Sequence, residues 1–162
     1  MRVEQLMSKD VIPCDVEDRL NDVAAILWER DCGAVPVVAR SAEGRVVAMI
    51  TDRDLCMAAY TTGRPLAEIR VYEAMSRSLH CCKTGDTARE AEAVMRHNQV
   101  RRLPVVDDAG NLAGIRSLAD LARVAKSQRR KKEPGISEKE VVHLLEAIAA
   151  PRAPLADSSS PE

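Results

Sequence analysis

Two short segments of the chain, Thr51-Asp52-Arg53-Asp54 and Ser117-Leu118-Ala119-Asp120, carry a hydroxyl and a carboxylate three residues apart, each directly behind an apolar run. At a strand-to-helix junction that spacing has a definite chemistry. A helix N-terminus presents unpaired N–H groups and a partial positive charge, and both attract phosphate. A hydroxyl from Thr51 or Ser117 at the N-cap can hydrogen-bond a phosphate or ribose oxygen, and the carboxylate of Asp54 or Asp120 in the first turn can accept two vicinal ribose hydroxyls. The same spacing also defines a capping box, in which the two groups serve only the helix. Thr87-Ala88-Arg89-Glu90 and Ser137-Glu138-Lys139-Glu140 show it with no strand in front and are read as caps, each contributing about 0.5–2 kcal/mol.

Other chemistry is poorly served. His80, His97 and His143 are scattered, without a Ser, Cys or carboxylate partner at a recognisable spacing, and neither a P-loop nor a G-x-G-x-x-G is present, so no enzyme is expected. Cys14, Cys32, Cys56, Cys81 and Cys82 are odd in number, form no C-x-x-C and have no histidine at zinc spacing. They read as reduced thiols, mostly small core hydrophobes, and no metal site is expected.

The elements that must position the two motifs come in duplicate. At an offset of 68, Arg2-Val3 falls on Arg70-Val71, Met7-Ser8 on Met75-Ser76, Asp18 on Asp86, Ala25 on Ala93 and Pro36-Val37-Val38 on Pro104-Val105-Val106. At an offset of 66, Gly44 falls on Gly110, Thr51 on Ser117, Asp54 on Asp120, Leu55 on Leu121 and Ala59 on Ala125. A two-residue deletion in the polar stretch 40–44 accounts for the slip, since loops absorb length changes that strands and helices do not. In the first copy a helix opens at Asp18, with Leu20, Val23, Ala24, Leu27 and Trp28 on one face, and ends near Cys32-Gly33. Strands at 35–39 and 46–50 flank a turn, and a second helix runs from Asp52 to about Tyr60. The second copy has a helix over 87–98, strands over 103–106 and 112–116, and a last helix from Leu118. Each unit is β-α-β-β-α, an α/β (α+β) arrangement in which two units of about 60 residues pack about a pseudo-twofold axis to complete each other's core.

With the x-V-P-V-V strands (Ala34–Val38, Arg102–Val106), the Gly-containing turns and the strand-to-helix segments Ala48-Met49-Ile50-Thr51-Asp52-Arg53-Asp54 and Gly114-Ile115-Arg116-Ser117-Leu118-Ala119-Asp120 in view, the chain resembles a tandem pair of CBS domains, or Bateman module, over about residues 1–125. The resemblance implies an adenosyl ligand, AMP, ADP, ATP or S-adenosylmethionine, in the cleft between the copies. Adenine would then lie against backbone near Val35, Pro36, Leu103 and Pro104, with Thr51, Asp52, Arg53, Asp54, Ser117 and Asp120 holding ribose and phosphate. Two positions depart from the pattern. Ala48 replaces the usual Gly of the first copy, which would crowd a close backbone approach. Arg116 occupies a normally apolar position, where it either clamps phosphate or faces solvent. Arg101 and Arg102 lie near the same elements.

Composition agrees with a soluble, aliphatic module. The 162 residues hold 24 basic and 25 acidic side chains, a formal charge of -1, so no whole-molecule field draws the chain to nucleic acid or membrane. One Trp, two Tyr and no Phe leave little for base stacking, so any adenine must be held by backbone and aliphatic groups. No apolar run approaches the ~20 residues of a bilayer span, and the N-terminal residues do not read as a signal peptide, so the expected location is cytoplasmic. The expected organisation is a first copy over 1–62, a linker over 63–70, a second copy over 71–126, a basic linker over 127–136, an amphipathic helix over 137–150 and a disordered tail over 151–162. The basic run 126–132 is the one segment that could touch nucleic acid, and it reads first as the solvated end of the last repeat helix. The amphipathic helix, with Val141, Leu144, Leu145 and Ile148 on one face, would dock on its own repeats or on a second protomer. The expected whole is a stand-alone regulatory pair that forms a homodimer and signals to an effector protein; a ligand-free adaptor binding a protein or RNA is the alternative.

Overall fold

The structure, a computed structural model, describes residues 1–131 and 136–151. The Pro134-Gly135 break, the tail from residue 152 and Lys132 of the basic run lie outside them. The first unit contains β1 (Cys14–Asp15), α1 (Leu20–Glu29), β2 (Ala34–Ala39), β3 (Arg45–Thr51) and α2 (Asp52–Thr62). After a short α3 (Val71–Ala74), the second contains β4 (Cys82–Lys83), α4 (Ala88–Asn98), β5 (Arg102–Val106), β6 (Leu112–Ser117) and α5 (Leu118–Lys131), followed by α6 (Glu138–Ala149). The duplicated β-α-β-β-α order is therefore present in both halves.

Each half builds one three-stranded sheet, β1-β2-β3 and β4-β5-β6. The first pair of strands in each is parallel, which requires the helical crossover between them, and the second pair is an antiparallel hairpin. Both hairpins shift register at the same place, between Val37 and Val38 and between Val105 and Val106. β2 is buried along its whole length, which suits its run of valines, whereas β3 alternates with Val46, Ala48 and Ile50 inward. The hairpins meet across the pseudo-symmetry axis: Val46 N–H donates to the Gly110 carbonyl at 3.2 Å, and Val38, Val46 and Val106 form a small shared cluster. α1 ends at Glu29, and Asp31 in the turn just beyond it is left-handed (φ 46°), so the chain leaves the helix before the expected Cys32-Gly33.

The two units are joined by crossed arms. Val3, at the start of the chain, is fully buried in the core of the second unit with Met95, Leu103 and Leu121. Ile69 and Val71, which precede the second unit, are fully buried in the core of the first with Leu20, Val23 and Ile50. The bonds correspond pair by pair. Val3 N–H donates to Asp86 O at 2.9 Å and Val71 N–H to Asp18 O at 2.9 Å; the Arg2 guanidinium reaches Gly85 O at 2.6 Å and Arg70 reaches Glu17 O at 2.6 Å. Each unit thus has its core closed by the segment that precedes the other.

The crossing differs at one point, and the difference follows from Ala48. Beside Gly114 the first arm runs so close that an added Cβ would lie 2.6 Å from Ser8 O and 2.9 Å from Met7 Sδ. Ser8 and Ile115 exchange both backbone bonds there, each 2.9 Å long. At the matching place Ala48 already carries a methyl group, and only Ser76 N–H to Met49 O is a backbone bond. Met49 N–H donates instead to the Ser76 Oγ at 3.1 Å.

α6 docks on its own second unit, against α4 and α5, where Leu144, Ile148 and the preceding Ile136 join the core of Met95, Leu121 and Ala125. Across the corresponding helices of the first unit, α1 and α2, lies instead the single helical turn Leu66–Glu68, with Leu66 packed on the core. Trp28 is 88% and Tyr60 81% exposed there. Trp28 therefore does not share the buried face of α1 with Leu20 and Val23.

Candidate functional site

Both motifs sit where the sequence places them, at strand-to-helix junctions. Thr51 is extended (φ -123°, ψ 164°) and caps α2, with Asp54 N–H donating to its Oγ1 at 3.3 Å. In return one carboxylate oxygen of Asp54, Oδ2, accepts Thr51 N–H at 2.8 Å and the Thr51 hydroxyl at 2.7 Å. Ser117 and Asp120 repeat this at the head of α5, with Ser117 N–H and Oγ donating to Asp120 Oδ2 at 2.8 and 2.6 Å. Thr87–Glu90 and Ser137–Glu140 form the same boxes at α4 and α6. All four motifs are therefore caps, and what separates Ser117 and Asp120 from the purely local ones is what they face.

They face a cavity of about 340 Å³. Its walls come from three parts of the chain. The first arm contributes Ser8, Asp10, Val11 and Ile12; the first unit contributes Ile26, Arg30, Asp31, Cys32 and Ala34; the second contributes Arg102, Ile115, Ser117, Asp120 and Arg123. It is the cleft between the copies, roofed by the arm that crosses from one to the other. Thr51, Asp52, Arg53 and Asp54 do not line it. Asp52 comes near its edge, since a Cβ on Gly33 would lie 3.3 Å from Asp52 Oδ2 and 3.4 Å from an Arg102 guanidinium nitrogen.

Charge in the cleft is mostly paired. Arg30 at the end of α1 meets Asp10 of the arm at 3.3 Å. Arg123 donates to Asp120 Oδ1 at 2.5 Å, so both oxygens of Asp120 are engaged. Burial pushes the Asp120 carboxyl up, but the Ser117 hydroxyl, Arg123 and the Ser117 N–H together hold it below its ordinary value, so it is a carboxylate. Arg102 makes no ion pair among the described residues and is the cation of the cleft with its donors uncommitted.

Several expected contacts lie elsewhere. Val35, Pro36, Leu103 and Pro104 are buried in β2 and β5, with Val35 and Leu103 in the two cores, and it is the first residue of each strand, Ala34 or Arg102, that borders the cavity. Arg116 is a correction: it neither clamps phosphate nor faces solvent. It is fully buried and donates to Leu6 O at 2.5 Å, while its Nε and Nη2 have no partner. Burial lowers its pKa from the ordinary guanidinium value, against the pull of Asp120, Glu92 and Cys82. Glu92, on α4, is only 6% exposed and its Oε1 is unpartnered; burial and Glu140 raise its pKa, with Arg116 opposing. The sequence reading missed the arm residues 8–12, the α1 end and Arg123. The match of Met7-Ser8 to Met75-Ser76 signals that the arm is part of the repeated unit, but not which unit it touches.

Cys14 and Cys82 occupy matching core positions in β1 and β4, and burial pushes each thiol up to about 12, so neither is a thiolate. Among the described residues, no group of three His, Cys, Asp or Glu side chains could hold a metal ion. No described helix is long and apolar enough to cross a membrane.

The CBS domain model matches residues 3–60 and again residues 70–127. A CBS domain-containing protein, YhcV, of Bacillus subtilis is 32% identical over 120 residues, covering 74% of this chain and 82% of its own. The crystal structure of Hypoxic Response Protein I with two coordinated zinc ions superposes with a TM-score of 0.68 at 27% identity, over 76% of this chain and 98% of that one. The CBS domain pair of protein MJ0100, in complex with 5-methylthioadenosine and S-adenosyl-L-methionine, superposes with a TM-score of 0.68 over 79% of this chain and 98% of that one; at 22% identity this likeness is one of fold.

Proposed function

Because the chain belongs to the CBS-domain family, with two CBS domains in tandem, we propose that it is a regulatory module that takes an adenine nucleotide or related adenosyl ligand (AMP, ADP, ATP or S-adenosylmethionine) into the cleft between its copies. The observation that carries this reading is the 340 Å³ cavity, in which a helix N-terminus, Ser117, Asp120 and the uncommitted cation Arg102 converge on one space walled by both copies. Phosphate goes to the N-terminus of α5 and Arg102, ribose to Asp120, and adenine to the aliphatic wall of Val11, Ile12, Ile26 and Ile115. The adenosyl ligands of the MJ0100 pair, bound on the same fold, support the ligand class. Thr51 and Asp54, which do not line this cavity, would serve a second site of the same kind.

The mechanism is linkage. A ligand touching the arm, α1 and α5 at once binds one arrangement of the copies better than another and shifts the population toward it, and an effector protein reads the result. The exposed α1–α2 face of the first unit, with Trp28 and Tyr60, is where a second chain would join to make a homodimer of four copies. That face also favours the other reading, a ligand-free adaptor binding a protein or RNA. Thermal-shift titration with the four ligands separates the two: a ligand at about 100 times its dissociation constant adds about 2.7 kcal/mol. No shift with any of them, together with an unchanged response in Asp120→Ala, refutes the nucleotide reading.

A further inference from the structure

The two aspartates that the repeat makes equivalent differ in one neighbour. Asp120 is held by Arg123, while Asp54 has Met57 at the matching position. A carboxylate has about four lone-pair sites. On Asp120 the Ser117 N–H and hydroxyl take two of them on Oδ2, and Arg123 takes one on Oδ1. One site remains, and a ribose diol donates two hydrogen bonds. On Asp54 the cap likewise takes two on Oδ2, and Oδ1 accepts nothing among the described residues.

We infer that Arg123 is a specificity-determining latch: it occupies the ribose acceptor of the cleft until a phosphate draws it away, so that this cleft selects phosphorylated nucleosides over the bare nucleoside. The inference rests on the nucleotide reading above. Arg123 lines the same cavity as Ser117 and Asp120, is 72% exposed and stands one turn into α5, so its guanidinium is free to swing from Oδ1 toward a phosphate at the helix N-terminus. A nucleoside must break the Arg123–Asp120 pair with nothing in exchange. A nucleotide replaces it with a charge-assisted, two-pronged bond to phosphate, as arginine geometry allows. Opening a pair whose guanidinium is exposed but whose carboxylate is buried costs at least the penalty of a surface pair, about two- to five-fold in affinity, whereas a hydrogen bond to a charged group is worth about ten- to a hundred-fold. The preference for phosphate therefore comes mainly from the second effect, sharpened by the first.

The test compares adenosine with AMP on the full chain, wild type against Arg123→Met, which installs the residue found at position 57, and against Arg123→Lys. The amide shifts of Ser8, Ser117 and Asp120 report binding in this cleft alone. In Arg123→Met adenosine is expected to bind at least about two- to five-fold more tightly and AMP at least about ten-fold more weakly. Arg123→Lys keeps the charge without the fork and is expected to fall between. An unchanged AMP-to-adenosine ratio, or equal weakening of both ligands, overturns the latch while leaving the cleft reading intact. Absence of binding by either ligand to any of the three proteins overturns both. The exposure of Arg123 makes loss of fold an unsuitable explanation, and matching thermal melts check it.

Discussion

Replacing Gly114 with alanine isolates the crossing of the first arm. The new Cβ would stand 2.6 Å from Ser8 O and 2.9 Å from Met7 Sδ, where ordinary contacts begin near 3.4 Å. The arm must recede by roughly 0.8 Å, because the obstacle is backbone and cannot turn aside as a side chain would. Such a move breaks the paired 2.9 Å bonds between Ser8 and Ile115, worth about 0.5–1.5 kcal/mol each. Alanine recovers about 0.4–1 kcal/mol by narrowing the unfolded ensemble. The steric loss, about 1–3 kcal/mol, and the hydrogen-bond loss outweigh that gain, leaving a net destabilisation of about 1–5 kcal/mol. Urea unfolding should show a lower midpoint with an unchanged slope, and hydrogen exchange should show faster exchange at Ser8 and Ile115 than in the wild type. Ligand affinity in the cleft should fall as well, because Ser8, Asp10, Val11 and Ile12 of the displaced arm form its roof. The mirror substitution, Ala48→Gly, gives no compensating gain: it removes a fully buried methyl at about 0.8 kcal/mol and adds backbone freedom. Full stability of Gly114→Ala, with protection at Ser8 and Ile115 retained, would refute the reasoning.

Four further outcomes follow from the same geometry. Arg116 and Glu92 occupy the places of Ile50 and Ala24 in the first unit, so the double variant Arg116→Ile/Glu92→Ala should be at least as stable as wild type, and more stable than either single variant, in urea melts; a double variant weaker than both singles contradicts this. Glu92 has a raised folded pKa, so the folded state holds its proton longer and stability falls as pH rises through the window above the ordinary value of 4.5; Glu92→Gln should flatten that fall. Asp15 behaves oppositely. Burial raises its pKa, but N–H bonds from Glu17 (3.0 Å) and Arg40 (2.9 Å) and the Arg40 charge outweigh that and lower it below 3.8. Its contribution, about 1.5–3 kcal/mol, is present above that value and lost as pH falls through the folded pKa, so the deficit of Asp15→Asn should be large at pH 7 and close at low pH; a constant deficit is inconsistent with it. Leu144→Ala should cost about 2–5 kcal/mol, because α6 is part of the core of the second unit, without altering mass in light scattering.

The sequence shows the repeated order of elements because apolar periodicity and the offsets of 68 and 66 are local properties of the chain. The N-caps at Thr51, Thr87, Ser117 and Ser137 are legible for the same reason: each is complete within four residues. What is not legible is tertiary exchange. Arg2-Val3 and Arg70-Val71 match each other perfectly as a pattern, yet nothing in the pattern tells that each closes the opposite core. Arg116 shows the limit at single-residue scale. A guanidinium within an apolar strand can turn to ligand, to solvent or inward, and only the positions of Leu6 O and Glu92 decide for the interior. The cleft is half legible: Ser117 and Asp120 announce themselves by spacing, while Asp10, Arg30 and Arg123 arrive there only through the fold.

The crossed arms also set the order in which the chain can fold. A ribosome delivers Val3 long before Asp86 exists to receive it, so the N-terminal arm must stay unsatisfied across 83 residues of synthesis, a long loop whose closure is entropically slow. Meanwhile the first unit cannot seal its core until Ile69 and Val71 emerge. Neither half is thus a folding unit in its own right. A fragment cut after residue 62 would lack the two residues that finish it and would carry a spare arm with no home. Two fragments mixed together would have to trade arms before either became native. Duplication here has produced partners that are alike in design and unable to live apart, and the last step of assembly, the arm closing over the second unit, is also the step that builds the roof of the cleft.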